Sequence, residues 1–531
     1  MSENKIERFF NTTGPIRKEK NYSIDPLTRV DLDGILSLID QEKYFVLHAP
    51  RQTGKTSLLI ALMNYLNKQG KYKTLYVNIE AAQAARENVS EGMQTILTAL
   101  AQSSIFYLKD SFFKDNWKQI FAGSVGLFAL NEALSQWCQQ SEKPVALFID
   151  EVDSLVGDTL ISLLRQLRSG YPMRPGMFPQ SIILCGVRDV RDYRMHSDKE
   201  KAVITGGSAF NIKDRSLRLG NFSPEEIKTL YEQHTKETGQ VFHQDVFPLV
   251  WEQTEGQPWL VNALAKEVCF EMKAGRDRKN EITVDMMIQA KENLILRRDT
   301  HLDQLTDKLK EKRVRGVIEP ILASLDEIDR LPDDDVEYVV DLGLIKKKPH
   351  LTIANRIYRE IIPRQLTYTT QLKITQDGSW YMDRQGRLEM DKLLTAFQDF
   401  FRKHFESWVE GFDYAEAGPQ LLLQAFLQRI VNAGGRVERE YGLGRQRTDL
   451  LVVWPYKTGV QQVVLELKLR YGGLETTIKE GLEQTRVYMD KCGAKQGYLL
   501  IFNRSPKASW EEKIFHREKT YKGMKIKIYG M

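Results

Sequence analysis

Short apolar runs bounded by polar turns alternate along the chain with stretches whose apolar residues recur at helical spacing. Tyr44 to Leu47, in QEKYFVLHAP, is a brief apolar run of the kind a buried strand makes. Leu58, Leu59, Leu62 and Leu66 then recur every three or four residues, and Gly70 suits the end of that helix. PVALFIDEVDSL, 144–155, reads as a second apolar strand, and QSIILCGVRDVRDYR, 180–194, opens as a third. Ser223 followed by Glu226 forms a capping box for a helix over NFSPEEIKTLYEQHTKETG. More helices are predicted through VFPLVWEQTEGQPWLVNALAKEVCFEMK and LRRDTHLDQLTDKLKEKRVRGVIEPILA. PDDDVEYVVDLGLIKKKPHLTIANRIYREIIPRQL then reads as helix, strand or turn, short strand, helix. The last part opens on an amphipathic helix, AGPQLLLQAFLQRIVNAGG, and continues α-β-β-β-α-β through RVEREYGLG, RTDLLVVW, QQVVLELKLR, ETTIKEGLEQTRVYMDKCG and QGYLLIFN.

Length turns this pattern into several cores: 531 residues imply about three or four domains. With 42% hydrophobic and 28% charged residues, the composition is that of a globular protein. The net charge of +5 is small for this size; it permits a local nucleic-acid surface without arguing for one. Cys138, Cys185, Cys269 and Cys492 are scattered, which reads as reduced thiols rather than a disulfide framework or zinc site. MSENKIERFF lacks an apolar signal core, and no apolar run is long enough to span a bilayer. A cytoplasmic location without membrane partners is therefore expected.

The chemistry starts at HAPRQTGKTS, 48–57. It follows G-x-x-x-x-G-K-[ST] except that Ala49 replaces the first glycine. The loop lies between a predicted strand and a predicted helix, so backbone N–H groups and the helix N-terminus can face phosphates. Pro50, Arg51, Gln52, Thr53, Gly54, Lys55, Thr56 and Ser57 form the candidate nucleotide cradle. Lys55 would reach the outer phosphates of ATP, and the Thr56 hydroxyl would ligate Mg2+. Ala49 is tolerable provided its φ is negative. Asp150 and Glu151 end the 144–155 strand, and phosphoryl transfer needs an acid for the metal shell and a group to orient water.

These elements resemble the Walker A and Walker B motifs of AAA+ and STAND-like (archaeal-type, AAA-like) P-loop ATPases. The resemblance implies that Asp150 serves magnesium and Glu151 polarises the attacking water. It gives Arg188, past the third strand, the place of a γ-phosphate sensor, with Arg191 and Arg194 as second choices. Arg165 and Arg168 could act in trans in a homo-oligomer, although solvated helix charges explain them better. Gly256-Gln257-Pro258 resembles the GxP motif, whose proline, here Pro258, lies near the adenine; a break between two helices explains it equally. Tyr22, Ile24 and Pro26 could wall the base or simply pack. Lys346, Lys347 and Lys348 between two short apolar runs suit a winged helix, bound either to DNA or against the nucleotide.

At the far end, Asp449 starts an apolar run, and Glu466 and Lys468 share one face of the next strand because side chains alternate. TDLLVV and ELK resemble the motif of the PD-(D/E)XK nuclease superfamily, with Gln484 and Tyr488 as its QxxxY. The resemblance implies a divalent cation shared by Asp449 and Glu466, and Lys468 beside the attacked phosphate. Glu438 or Glu440 could add a carboxylate; the helix AGPQLLLQAFLQRIVNAGG has no glutamate to supply the one found in many members. Edge-strand ion pairs are the competing explanation of these charges.

The expected architecture is α/β: a P-loop NTPase parallel sheet over 1–218, a helical lid over 219–295, a winged helix over 296–368 and a restriction-endonuclease-like domain over 369–531. The expected function is an ATPase controlling a metal-dependent DNA nuclease, in defence or mobile-element biology by analogy alone. The alternative is a signalling, scaffold or transcription-regulating ATPase whose nuclease fold is inactive.

Overall fold

The computed structural model describes residues 7–124, 127–188, 194–197, 202–205, 210–297, 307–323, 331–366, 380–409, 422–423, 426–427, 435–439, 450–470, 472–503, 505 and 508–531. The chain divides into two compact units. One comprises Met1–His301 and Val336–Ile345, the other Leu302–Asp335 and Lys346–Met531.

The first unit is built on five strands: β1 (Tyr44–His48), β2 (Lys73–Asn78), β3 (Val145–Asp150), β4 (Ser181–Gly186) and β5 (Lys213–Arg218), in the order β2-β3-β4-β1-β5. Every pairing is parallel. A parallel sheet is covered on both faces, so β1 to β4 are apolar on both sides, whereas the edge strand β5 is polar and partly exposed. Successive residues accordingly feed two cores. Val46, Leu75, Leu147, Ile149 and Leu184 belong to one. Phe45, Leu47, Phe148 and Ile183 belong to the other, beneath Leu58, Leu59 and Leu62 of helix α1 (Lys55–Gln69). That helix starts at Gly54 (φ 97) and ends at Gly70 (φ 77), left-handed positions that glycine adopts at little cost. The other labelled helices of this unit are α2 (Gly157–Gly170), α3 (Pro224–Thr238), α4 (Val246–Thr254), α5 (Pro258–Lys266) and α6 (Asp333–Asp341), whose second half joins it. The Ser223–Glu226 capping box at the start of α3 is formed in both directions.

Register decides where a ligand can bind. Asn78 is level with Asp150, and His48 with Gly186, so the carboxyl ends of β1 to β4 share one edge. The crevice outside that edge is where open α/β sheets bind ligands.

The second unit holds helix α7 (Met390–Val409) and strands β6 (Arg436–Arg439), β7 (Leu450–Tyr456) and β8 (Gly459–Leu469). Helix α8 (Leu474–Cys492) follows, then β9 (Gln496–Phe502), β10 (Phe515–Tyr521) and β11 (Met524–Gly530). The sheet order is β6-β7-β8-β9-β11-β10, with β8-β9 and β9-β11 parallel and the rest antiparallel. Helix α7 covers one face through Leu393, Leu394, Phe397 and Phe401. Helix α8 covers the other through Ile478, Leu482 and Tyr488. It approaches closely: a Cβ on Gly481 would come within 2.4 Å of Leu499 Cδ1. Helix α7 and the β10–β11 hairpin go beyond the α-β-β-β-α-β order expected from sequence. Of the amphipathic helix expected before β6, the described Leu422, Leu423, Phe426 and Leu427 are all buried against α7. Between α6 and the helix Arg356–Leu366 lie two strands of two residues each, Ile345–Lys346 and Thr352–Ile353.

Candidate functional site

The loop leaving β1 is tied to the sheet edge. Ala49 N donates to Gly186 O (3.3 Å), and Leu219 N donates to His48 O (3.1 Å). Positive φ falls on Gln52 (58°) and Gly54 (97°), not on Ala49, so the alanine occupies a position that needs no glycine. It is fully buried, which also explains a small residue there. Thr53 Oγ1 donates to Pro50 O and closes the turn. Lys55 Nζ donates to Ala49 O (2.9 Å) and Pro50 O (3.1 Å). These use two of its three hydrogens and leave the third for an incoming oxygen.

The decisive contact joins loop and sheet. Thr56 Oγ1 donates to Asp150 Oδ2 at 2.7 Å. Tyr76, on the neighbouring β2, donates to the same oxygen at 3.0 Å, and Glu151 N donates to Asp150 Oδ1 at 3.0 Å. Asp150 is fully buried, and these three donors are what make a carboxylate tolerable there. A hydroxyl beside a buried carboxylate does not form an all-protein cage, and among the described residues no group of three or more His, Cys, Asp or Glu side chains is placed to hold a metal ion. It is the donor set magnesium takes when nucleotide phosphates and water supply the remaining ligands.

Glu151 follows directly, in a left-handed conformation (φ 59). Such a φ is uncommon outside glycine and turns the side chain out of the strand's alternation. Burial, then the neighbouring Asp150 and Asp153, raise its carboxyl from the usual 4.5 to about 6, against the pull of Lys55 and Arg51. Asp153 also accepts from Val187 N (3.1 Å), fixing the turn after β4. Burial and Asp150 likewise push the Cys185 thiol well up, so it is an inert neighbour.

Arg188 lies two residues past β4, its guanidinium 4.8 Å from the centre of the Tyr338 ring on α6. The same helix receives Arg218 Nη2 on Val340 O (2.9 Å), and Asp341 Oδ1 lies 3.8 Å from His48 Nδ1. α6 therefore packs on the ends of β1, β4 and β5. Arg165 and Arg168 are on the exposed side of α2. Arg194 opens the short strand Arg194–Ser197, and Arg191 lies outside the described residues.

Phe222 N donates to Gly256 O (2.8 Å), and Gly256 has φ 72. Pro258 is buried at the first position of α5. Arg29, which sequence reasoning did not single out, donates to Thr53 O (2.7 Å) and Gly220 O (2.6 Å) and covers the Phe222 ring at 4.7 Å. Tyr22 packs with Phe10 and His234 rather than at the loop. Ile24 and Pro26 are buried.

In the second unit Glu466 is fully buried on β8, with Lys468 Nζ 3.2 Å from Glu466 Oε1. Both are on the α8 side, since Val464, two residues before Glu466 on the same strand, belongs to the cluster that includes Ile478 and Tyr488. Gln484 is half-buried on α8 with its Oε1 buried, and Tyr488 is in the apolar cluster one turn on. Asp449, Glu440 and the side chain of Glu438 lie outside the described residues.

A model of the AAA-like domain matches residues 36–360. No curated protein matches in sequence. Among solved structures, the chain is similar to the Walker-type ATPase paby2304 of Pyrococcus abyssi: 14% identity, 66% of this chain and 99% of that one, TM-score 0.47. It is similar to the Aeropyrum pernix ORC2 protein in its ADPNP–ADP complexes, at 17% identity, 65% and 93% coverage and TM-score 0.38. Thermotoga maritima RuvB gives 13% identity, 63% and 94% coverage and TM-score 0.33.

Proposed function

The chain belongs to the AAA-like domain family, and from that premise we propose that it binds ATP with magnesium, hydrolyses the nucleotide, and couples this cycle to a metal-dependent nuclease domain acting on DNA. The observation that carries the ATPase reading is the Thr56–Asp150 hydrogen bond, which joins the loop to the acidic end of β3.

The roles follow from position. The amides of 51–57 and the start of α1 hold the phosphates, and Lys55 turns its third N–H to the outer ones. Thr56 and Asp150 are the residues that would hold magnesium, which when bound neutralises charge on the phosphates. Glu151 orients the attacking water and accepts its proton; a carboxyl titrating near 6 is mostly ionised at pH 7 and basic enough to help. Arg188 is the sensor candidate, because it connects the end of β4 to α6. Pro258 is proposed to lie near the base. The proposed division is an ATPase domain over 1–218, a lid over 219–295, a winged helix over 296–368 and a nuclease-like domain over 369–531.

For the last of these, what supports the reading is a fully buried carboxylate and a lysine on one face of a central strand, with Gln484 on the helix that covers it. Asp449 and Glu466 would hold a divalent cation there. The 3.2 Å ion pair equally suits an inactive fold that serves as a scaffold. Incubating purified protein with plasmid and magnesium, with and without ATP, separates the two. Nicking that needs the metal supports the nuclease, and intact plasmid under both conditions leaves the scaffold.

Among the described residues no helix is long and apolar enough to cross a membrane.

A further inference from the structure

Gln257 is buried, with only 6% of its surface exposed. Its Oε1 accepts from Leu260 N at 2.6 Å and caps helix α5. That bond fixes which way the amide points, so Nε2 is presented as a donor from a set direction. Among the described residues Nε2 finds no hydrogen-bond partner. A buried donor left unpaired is costly, and native proteins keep few of them without a ligand, an ion or a water to receive the hydrogen.

The location says what that receiver is. On one side of Gln257, Gly256 O accepts from Phe222 N, the Phe222 ring lies under Arg29, and Arg29 donates to Thr53 O in the phosphate loop. On the other side, Trp259 Nε1 donates to Thr12 O at 3.0 Å. Four residues along that same segment, Ile16 N donates to Ser57 Oγ at 3.1 Å. Gln257 is thus bracketed by two short relays that end on Thr53 and Ser57. In a phosphate loop the lysine meets the outer phosphates and the amides beyond it hold the inner ones, so the nucleoside leaves past Ser57. It then faces the segment 12–16 and the turn 256–259.

We infer that Gln257 reads the nucleoside of the bound nucleotide, its Nε2 donating to a ring nitrogen of a purine base. This rests on the proposed ATP binding. A fixed donor needs an acceptor, and an adenine offers ring nitrogens 1, 3 and 7. The phosphates are served by the loop, and Arg29 is committed to two backbone carbonyls, so the base is the part of the ligand that Gln257 can select.

The test measures binding of ATP, of inorganic triphosphate and of 1-, 3- and 7-deaza-ATP by calorimetry, with the full chain. Gln257→Glu keeps an oxygen to cap α5 and replaces the donor by an acceptor. It should weaken ATP about tenfold while leaving inorganic triphosphate unchanged. In the wild type one of the three deaza nucleotides should lose a similar factor, and in Gln257→Glu that analogue should lose nothing further. The deaza series needs no variant, so it decides even where Gln257→Glu folds poorly. Equal loss of ATP and triphosphate in the variant, or three deaza nucleotides that all bind as ATP does, would overturn the assignment. If 2′-deoxy-ATP alone is weakened, Gln257 contacts the sugar and the base assignment is wrong. Wild-type protein that binds triphosphate but gains nothing from the nucleoside refutes this inference alone; binding neither refutes the ATP reading with it.

Discussion

Protonating Glu151 should switch off ATP turnover about one and a half pH units higher than for an ordinary glutamate. Burial, Asp150 and Asp153 raise the carboxyl from 4.5 to about 6. A group of pKa 6 is about nine-tenths ionised at pH 7 and about one-tenth at pH 5, whereas one of pKa 4.5 is still about three-quarters ionised at pH 5. If the carboxylate orients water, turnover should rise about tenfold from pH 5 to 7, against a rise of about a third for an unperturbed glutamate. The assay is phosphate release at ATP well below its KM, so that the profile of kcat/KM reports the free enzyme, from pH 4.8 to 8. Glu151→Gln should fall by about a hundredfold or more and lose this limb of the profile. Asp153→Asn keeps an oxygen for Val187 N and removes one of the charges that raise Glu151. Its inflection should therefore move down, which titration of the nucleotide itself would not do. An inflection near 4.5 in the wild type, or one unmoved in Asp153→Asn and retained in Glu151→Gln, would refute the role given to Glu151.

Two further changes probe the turn at Gly256 and the second unit. Gly256→Ala should destabilise the protein by about 2 kcal/mol or more, read as a lower denaturation midpoint, because the position is left-handed and the new Cβ would meet Phe222 O at 2.0 Å; an unchanged midpoint would mean that this turn is not held as described. Lys468→Ala should abolish metal-dependent plasmid nicking while ATP turnover persists, since Lys468 belongs to the other unit; cleavage at the wild-type rate would remove it from the nuclease site.

The loop 48–57 was legible because its chemistry is local. A strand, a turn and a helix follow one another in sequence, and the capping box at Ser223 is local in the same way. The acid pair at 150–151 was legible because an apolar run stops at it. The partners of Asp150 divide along the same line. Thr56 belongs to the recognised loop, whereas Tyr76 reaches Asp150 only because β2 lies beside β3, and nothing local announces strand order. Arg29 was hidden for the same reason: it meets Thr53 and Gly220 across 24 and 191 residues of chain. For Tyr22 the sequence left two readings, a wall for the base by resemblance or plain packing, and strand and helix order decides its neighbours: its ring is held by Phe10 and by His234 of α3. At the far end, period-two alternation correctly put Glu466 and Lys468 on one face. The β10–β11 hairpin was not read, because FHREKTY is charged along its exposed edge and shows no apolar pattern.

The most direct test of the central claim is calorimetric titration of ATP with magnesium into the wild-type protein and Lys55→Ala. Lys55 Nζ is held by two loop carbonyls with one hydrogen left for a phosphate, so its loss removes the charge that meets the ligand. The wild type should give saturable binding, and Lys55→Ala should show none at the same concentrations while melting within a few degrees of wild type. Equal ATP affinity in the two proteins would contradict the assignment of residues 50–57 as the nucleotide site.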